Sequence, residues 1–128
     1  MIILDTSALI ALLDPDDEHH RAVSAALSSR ASDRWATGAL TLAEVMVRAA
    51  ADEDLLATLA EDVADLEVET LPLADEDVEP LARLRATTRL KMPDCCVMLA
   101  AQSTGGTLLT TDRLLAGRAT ELQISVLP

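Results

Sequence analysis

Apolar residues in this chain fall into short unbroken runs and longer stretches with helical spacing, and the two kinds alternate. Ile2-Ile3-Leu4 opens residues 2–5, a short buried strand ended by Asp5. Thr6 and Ser7 can cap a helix over Ala8–Leu13, which Asp14-Pro15 stops. Asp16–Ser29 reads as a second helix, with Ala22, Val23, Ala26 and Leu27 at helical spacing and acids in its first turn. Trp35–Thr37 is a short strand that Gly38 breaks, and Thr41–Ala51 is helical. Asp54–Asp65 is another helix, striped by Leu55, Leu56, Leu59, Ala60 and Val63. Leu66–Leu71 alternates like a half-exposed strand, and Pro72 ends it. Asp75–Arg89 is helical. Met92-Pro93-Asp94 then opens a helix that runs to Gly105-Gly106, with Pro93 suited to its first position. Thr107–Thr110 is a buried strand, Asp112–Arg118 a short helix and Gln123–Leu127 a last strand.

This order predicts one α/β domain over residues 1–128, with a mostly parallel central sheet and helices on both faces. Composition changes the picture in three ways. Half the residues are hydrophobic and Trp35 is the only aromatic, so the core must be aliphatic. The formal charge of −12 argues against a general nucleic-acid coat protein. Twelve of the 22 acids lie between Asp52 and Glu79, where there is no Lys or Arg; such a run forms a solvated face or docks a basic partner. Adjacent Cys95 and Cys96 point in different directions on a helix and rarely pair, which predicts reduced, buried thiols. With no signal peptide pattern and no membrane-length apolar stretch, the expectation is a cytoplasmic protein.

The candidate chemistry lies in four acids spread along the sequence. Asp5 and Asp112 each follow a strand run, Glu44 lies in the first turn of the helix pattern after Gly38, and Asp94 lies in the first turn after Pro93. In a parallel α/β fold, strand carboxyl ends and helix N-termini share the edge of the sheet where ligands bind. Clustered carboxylates repel one another unless a cation joins them, and an oxygen-only set suits Mg²⁺ or Mn²⁺. Each acid also has a local role open to it. Asp5 can end a strand, Thr41-Leu42-Ala43-Glu44 matches a capping box, Asp94 suits a helix dipole, and Asp112 can cap a helix. Those roles do not exclude a shared site. A divalent cation would supply what phosphodiester hydrolysis needs, a nucleophile and relief of charge on the phosphate. His19 and His20 lack the partner pattern of metal ligands.

Substrate phosphates have candidate partners in Arg48, Arg83, Arg85, Arg89, Lys91 and Arg113, for which ordinary helix solvation is the competing role. Trp35 alone gives no aromatic platform for stacking bases, so for a nucleic-acid substrate recognition of a folded RNA by shape is expected rather than stacking along a single strand.

Leu4-Asp5-Thr6-Ser7-Ala8-Leu9, Leu42-Ala43-Glu44, Met92-Pro93-Asp94 and Leu109-Thr110-Thr111-Asp112 together resemble the PIN-domain ribonucleases, and within them the VapC-type toxins of bacterial toxin–antitoxin pairs. The resemblance spans nearly the whole chain. It implies a Rossmann-like sheet with Asp5, Glu44, Asp94 and Asp112 as catalytic acids binding Mg²⁺ or Mn²⁺. Thr6, Ser7 and Thr111 would support the ligands or the phosphate. It further implies cleavage of RNA, often tRNA or rRNA, a homodimer, and inhibition by a cognate VapB-type antitoxin. Some members carry a further acid just after the position of Asp112; here Arg113, Leu114 and Leu115 follow, which puts a second metal in doubt. Two readings compete. One is a receiver-like signalling domain, although no Lys follows Lys91; the other is a silent metal-binding module. A haloacid-type phosphatase would want Asp-x-Asp where this chain has Asp5-Thr6-Ser7.

Overall fold

A computed structural model describes residues 1–127. Five strands carry the fold: β1 (Ile2–Leu4), β2 (Trp35–Gly38), β3 (Glu69–Leu71), β4 (Thr107–Leu109) and β5 (Val126–Leu127). Seven α-helices connect them: α1 (Thr6–Leu13), α2 (His20–Ser28), α3 (Ala39–Met46), α4 (Glu53–Asp65), α5 (Val78–Thr88), α6 (Met92–Thr104) and α7 (Arg113–Glu121). The sheet order is β3-β2-β1-β4-β5 and every pairing is parallel. A receiver-type domain has the order 2-1-3-4-5 instead, so the topology departs from that alternative.

β1 is central and has helices on both sides, which is why its three residues are apolar without alternation. Ile3 points into a core with Leu84, Val97, Met98, Leu108 and Leu115; Ile2 and Leu4 point into a second core with Leu9, Val23, Leu27 and Leu109. All three β1 side chains are fully buried, each contributing about 1.5–3 kcal/mol of transfer free energy. The register Leu4↔Leu109 aligns the ends of β1 and β4, so the residues that follow them emerge side by side.

Gly105 ends α6 with φ +62°, and a Cβ on Gly106 would come within 3.0 Å of the Met1 carbonyl oxygen. This pair lets the chain turn tightly and lay β4 against β1.

Several element boundaries differ from the sequence expectation. Helix α2 starts at His20, because Asp14 and Asp17 accept hydrogen bonds from the backbone N–H groups of Asp16 and His19 and hold residues 14–19 in turns. The acids expected in its first turn therefore precede it. Asp5, rather than Thr6 or Ser7, caps α1. The helix expected over Thr41–Ala51 starts two residues earlier and tightens to a 3₁₀ turn at Val47–Ala49. Thr41 consequently sits inside α3, buried, and makes no capping box with Glu44. Glu67 and Gln123 take left-handed conformations that shorten β3 and β5 from their N-terminal ends. Cys95 and Cys96 are free and buried, as expected.

Candidate functional site

Asp5 is the fixed point of the acidic edge. It is 4% exposed and follows directly on β1. Its Oδ1 accepts from the Ser7 hydroxyl at 2.7 Å and from the Ala8 backbone N–H at 2.8 Å. The Thr110 hydroxyl donates to its Oδ2 at 2.6 Å. One side chain thus caps α1 and ties β1 to the segment after β4. Burial raises the pKa of Asp5 above the ordinary carboxylate range; the three hydrogen bonds pull it down, and the charge of Asp112 adds to the rise.

Thr110 is a residue that sequence reasoning missed. It is buried, and its hydroxyl oxygen also accepts the Asp112 backbone N–H at 3.0 Å. The expected supporting residue, Thr111, enters this network through its backbone, donating its N–H to the Ser7 hydroxyl at 2.9 Å. A polar residue at the buried end of the run Thr107–Thr110 was the available signal, since such a group needs a partner.

Asp112 is exposed and caps α7: its Oδ1 accepts from the N–H groups of Leu114 and Leu115 at 2.9 and 3.2 Å. No hydrogen bond engages its Oδ2 among the described residues, so one carboxylate oxygen remains for a further ligand. Glu44 is exposed and, because α3 starts at Ala39, lies in its second turn rather than the expected first, where Thr6 donates to its Oε2 at 2.9 Å. Asp94, in the first turn of α6, is half-buried. Its pKa is raised first by burial and then by the charges of Asp112, Asp5 and Glu44, while Lys91 lowers it. The fields of all four acids therefore meet at Asp94.

Donor chemistry fits a divalent cation. Four carboxylates face one edge, and none of them forms an ion pair with a basic residue among the described residues. The repulsion that raises the pKa of Asp94 is relieved by a cation or by protonation. The side chains do not stand in a closed cage: no three His, Cys, Asp or Glu among the described residues have the spacing of a preformed site. Like charges hold such side chains apart, and Glu44 and Asp94, on their helices, have rotamers with which to close on an ion.

The basic residues divide into two groups. Arg83 is paired with Glu79 one turn earlier on α5, and Arg85 lies near Cys95. Arg89 ends α5 in a left-handed conformation, with Lys91 just beyond it at the entrance to α6. Arg113 follows Asp112 and is exposed, without an ion-pair partner among the described residues, and Arg48 is exposed on the 3₁₀ turn after α3. Of the two histidines, His20 is structural: its Nδ1 is 2.7 Å from the Ala11 carbonyl oxygen.

The same fold recurs in known proteins. No curated protein matches the chain in sequence. Among solved structures, it is similar to a toxin–antitoxin complex from Klebsiella pneumoniae, with 25% identity, a TM-score of 0.68 and 91% and 92% of the two chains covered. It shares its fold with VapC20 of Mycobacterium tuberculosis, a sarcin–ricin loop cleaving toxin, at a TM-score of 0.73, 16% identity and 92% and 95% coverage. The fold also matches VapBC2 of Rickettsia felis, bound to a DNA fragment from its promoter, at a TM-score of 0.74, 13% identity and 98% and 97% coverage. The model of the PIN domain matches residues 2–119, which contain all four acids, and on that match the chain belongs to the PIN-domain family.

Proposed function

We propose that this protein is a Mg²⁺- or Mn²⁺-dependent endoribonuclease toxin of the VapC type, hydrolysing RNA phosphodiester bonds, with tRNA or rRNA as substrate. PIN-family membership and the toxin–antitoxin neighbours support a nuclease. The observation that carries the metal dependence is the meeting of four unpaired acids at one sheet edge, felt electrostatically at Asp94. Asp5, Glu44, Asp94 and Asp112 would hold the cation. When bound, it supplies an acidified water and charge relief on the phosphate.

The chain's own residues do the rest. Ser7, Ala8 and Thr110 fix both oxygens of Asp5, so that carboxylate needs little reorganisation to serve as a ligand. Thr6 steers Glu44 toward the same edge. Lys91 and Arg113, beside Asp94 and Asp112, are placed to take phosphates flanking the scissile one.

A cognate VapB-type antitoxin is the expected inhibitor, in keeping with the complexes among the neighbours. A homodimer is part of the same reading, checked by light scattering. Free buried thiols fit a reducing, cytoplasmic setting. Among the described residues no helix is long and apolar enough to cross a membrane.

The test is cleavage of total cellular RNA by purified protein with Mn²⁺, Mg²⁺ or EDTA, beside Asp5→Asn and Asp94→Asn. Discrete metal-dependent fragments, absent in both variants, are expected. Mn²⁺ binding by calorimetry with no cleavage of any RNA would instead leave a silent metal-binding module.

A further inference from the structure

A cavity of about 310 Å³ opens beside the acidic edge and uses none of its carboxylates except Asp112. It lies between α2 and α7, against the ends of β4 and β5. Its walls are aliphatic: Ala22 from α2, Ala116 from α7, and Val126 and Leu127 from β5. Its rim carries His19 and Arg113, both exposed. That volume is at the small end of the roughly 300–1,000 Å³ typical of ligand pockets, right for one small ring and too small for a stretch of oligonucleotide.

We infer that this cavity seats the base of a nucleotide adjacent to the scissile phosphate, swung out of its stack, and that it sets which nucleotide the enzyme cuts beside. The inference rests on the ribonuclease reading above. Three features point to that occupant. The cavity is continuous with the acids, since Asp112 lines both, so a nucleotide whose phosphate lies at the acids has its base within reach. Flat aliphatic walls accept the faces of a planar ring, which desolvates at little cost there. The rim supplies what a base edge needs: a guanidinium that donates in a fork or stacks on a ring, and an imidazole that donates and accepts.

This site also answers how the protein grips a base without aromatic residues. Trp35 is the only aromatic and starts β2, at the opposite edge of the sheet from the acids. His19 has its own reason to be there. Its backbone N–H is held by Asp17 at 2.8 Å, which fixes the chain at the mouth, and its imidazole stays free of the fold while His20 is spent on Ala11.

The probe is the set of four ribonucleoside 5′-monophosphates, with ribose 5-phosphate as the control, added with Mg²⁺ to methyl-labelled protein and followed by NMR. Saturable shifts of the Val126 and Leu127 methyl signals are expected. They should differ at least threefold in affinity among the bases and be absent with ribose 5-phosphate. Ala116→Leu fills the cavity from one wall and should weaken binding at least tenfold; Ala22→Leu does so from the other, so a folding defect in one leaves the other as a test. In an RNA containing the preferred site, both should also redistribute cleavage toward other nucleotides. Shifts equal to those of ribose 5-phosphate, or no shifts with any nucleotide, overturn the base site. RNA cleavage by wild type with such a silent cavity leaves the nuclease standing and removes only this site. Base-selective shifts without RNA cleavage do the reverse.

Discussion

Two halves of the acidic edge are built differently. Asp5 and Asp112 follow the adjacent central strands β1 and β4 and are joined through Thr110, Ser7 and the backbone of Thr111. Glu44 and Asp94 sit on helices, and among the described residues the one hydrogen bond to either carboxylate is the exposed one from Thr6 to Glu44. The strand half is rigid before any ligand arrives, whereas the helix half is governed by repulsion. The contrast separates the cost of building the site from the cost of filling it.

The largest effect expected is on catalysis and falls on both halves. Asp5→Asn and Asp94→Asn should each lower RNA cleavage by at least about 10²–10³-fold, the loss typical when an electrostatic stabiliser leaves a reacting centre. Gel assays at saturating Mn²⁺ check this; retention of a tenth of wild-type activity by either variant would remove that acid from the machinery.

Thr110→Val breaks the comparison in the strand half alone. It leaves Asp5 Oδ2 and the Asp112 N–H without their buried partner, at a cost of about 1–3 kcal/mol. Activity should fall roughly 10–100-fold, as when a ligand loses its orienting partner. Thr111→Val should be nearly silent in both respects, because only its backbone is used. Urea melts and kcat for the two variants make the check, and equal effects would count against the assigned network.

Asp94→Asn has a second consequence of opposite sign. The folded state holds the Asp94 proton more tightly than the unfolded chain does. Metal-free stability therefore falls as pH rises from the ordinary carboxylate range, about 3.9, through the raised value. At neutral pH in EDTA the variant should melt above wild type. The gain should vanish below pH 4 and reverse with excess Mn²⁺, which stabilises wild type more. Calorimetry in EDTA across this pH range would contradict the repulsion if the variant melted lower throughout.

The smallest effect expected is at the helix half's own foundation. Gly38 caps α3 without a side chain, and a Cβ there meets only the Thr41 hydroxyl oxygen, at 3.7 Å. Gly38→Ser should stabilise the protein by a few tenths of a kcal/mol, read by urea melts.

Where apolar pattern alone decides structure, the sequence was readable. β1 and β4 are legible because both of their faces are buried, and Asp5, Glu44, Asp94 and Asp112 stand out as candidates because each lies near a strand end or helix start. The misreadings arose where short polar residues choose between partners. Thr41 suits a cap by sequence, yet it lies inside α3, fully buried. Asp14 and Asp17 looked like helix-starting acids and instead hold turns. Thr110 and Thr111 are chemically identical neighbours, and only the end of β4 determines which one turns inward.

The bond from Thr110 to Asp5 spans 105 residues. β1 therefore cannot complete its central place in the sheet until β4 has been synthesised. On a ribosome, the chain carries Asp5 from the start but assembles no acidic edge until translation has passed Asp112. The acidic edge is thus a product of long-range pairing, completed only once β4 has joined β1.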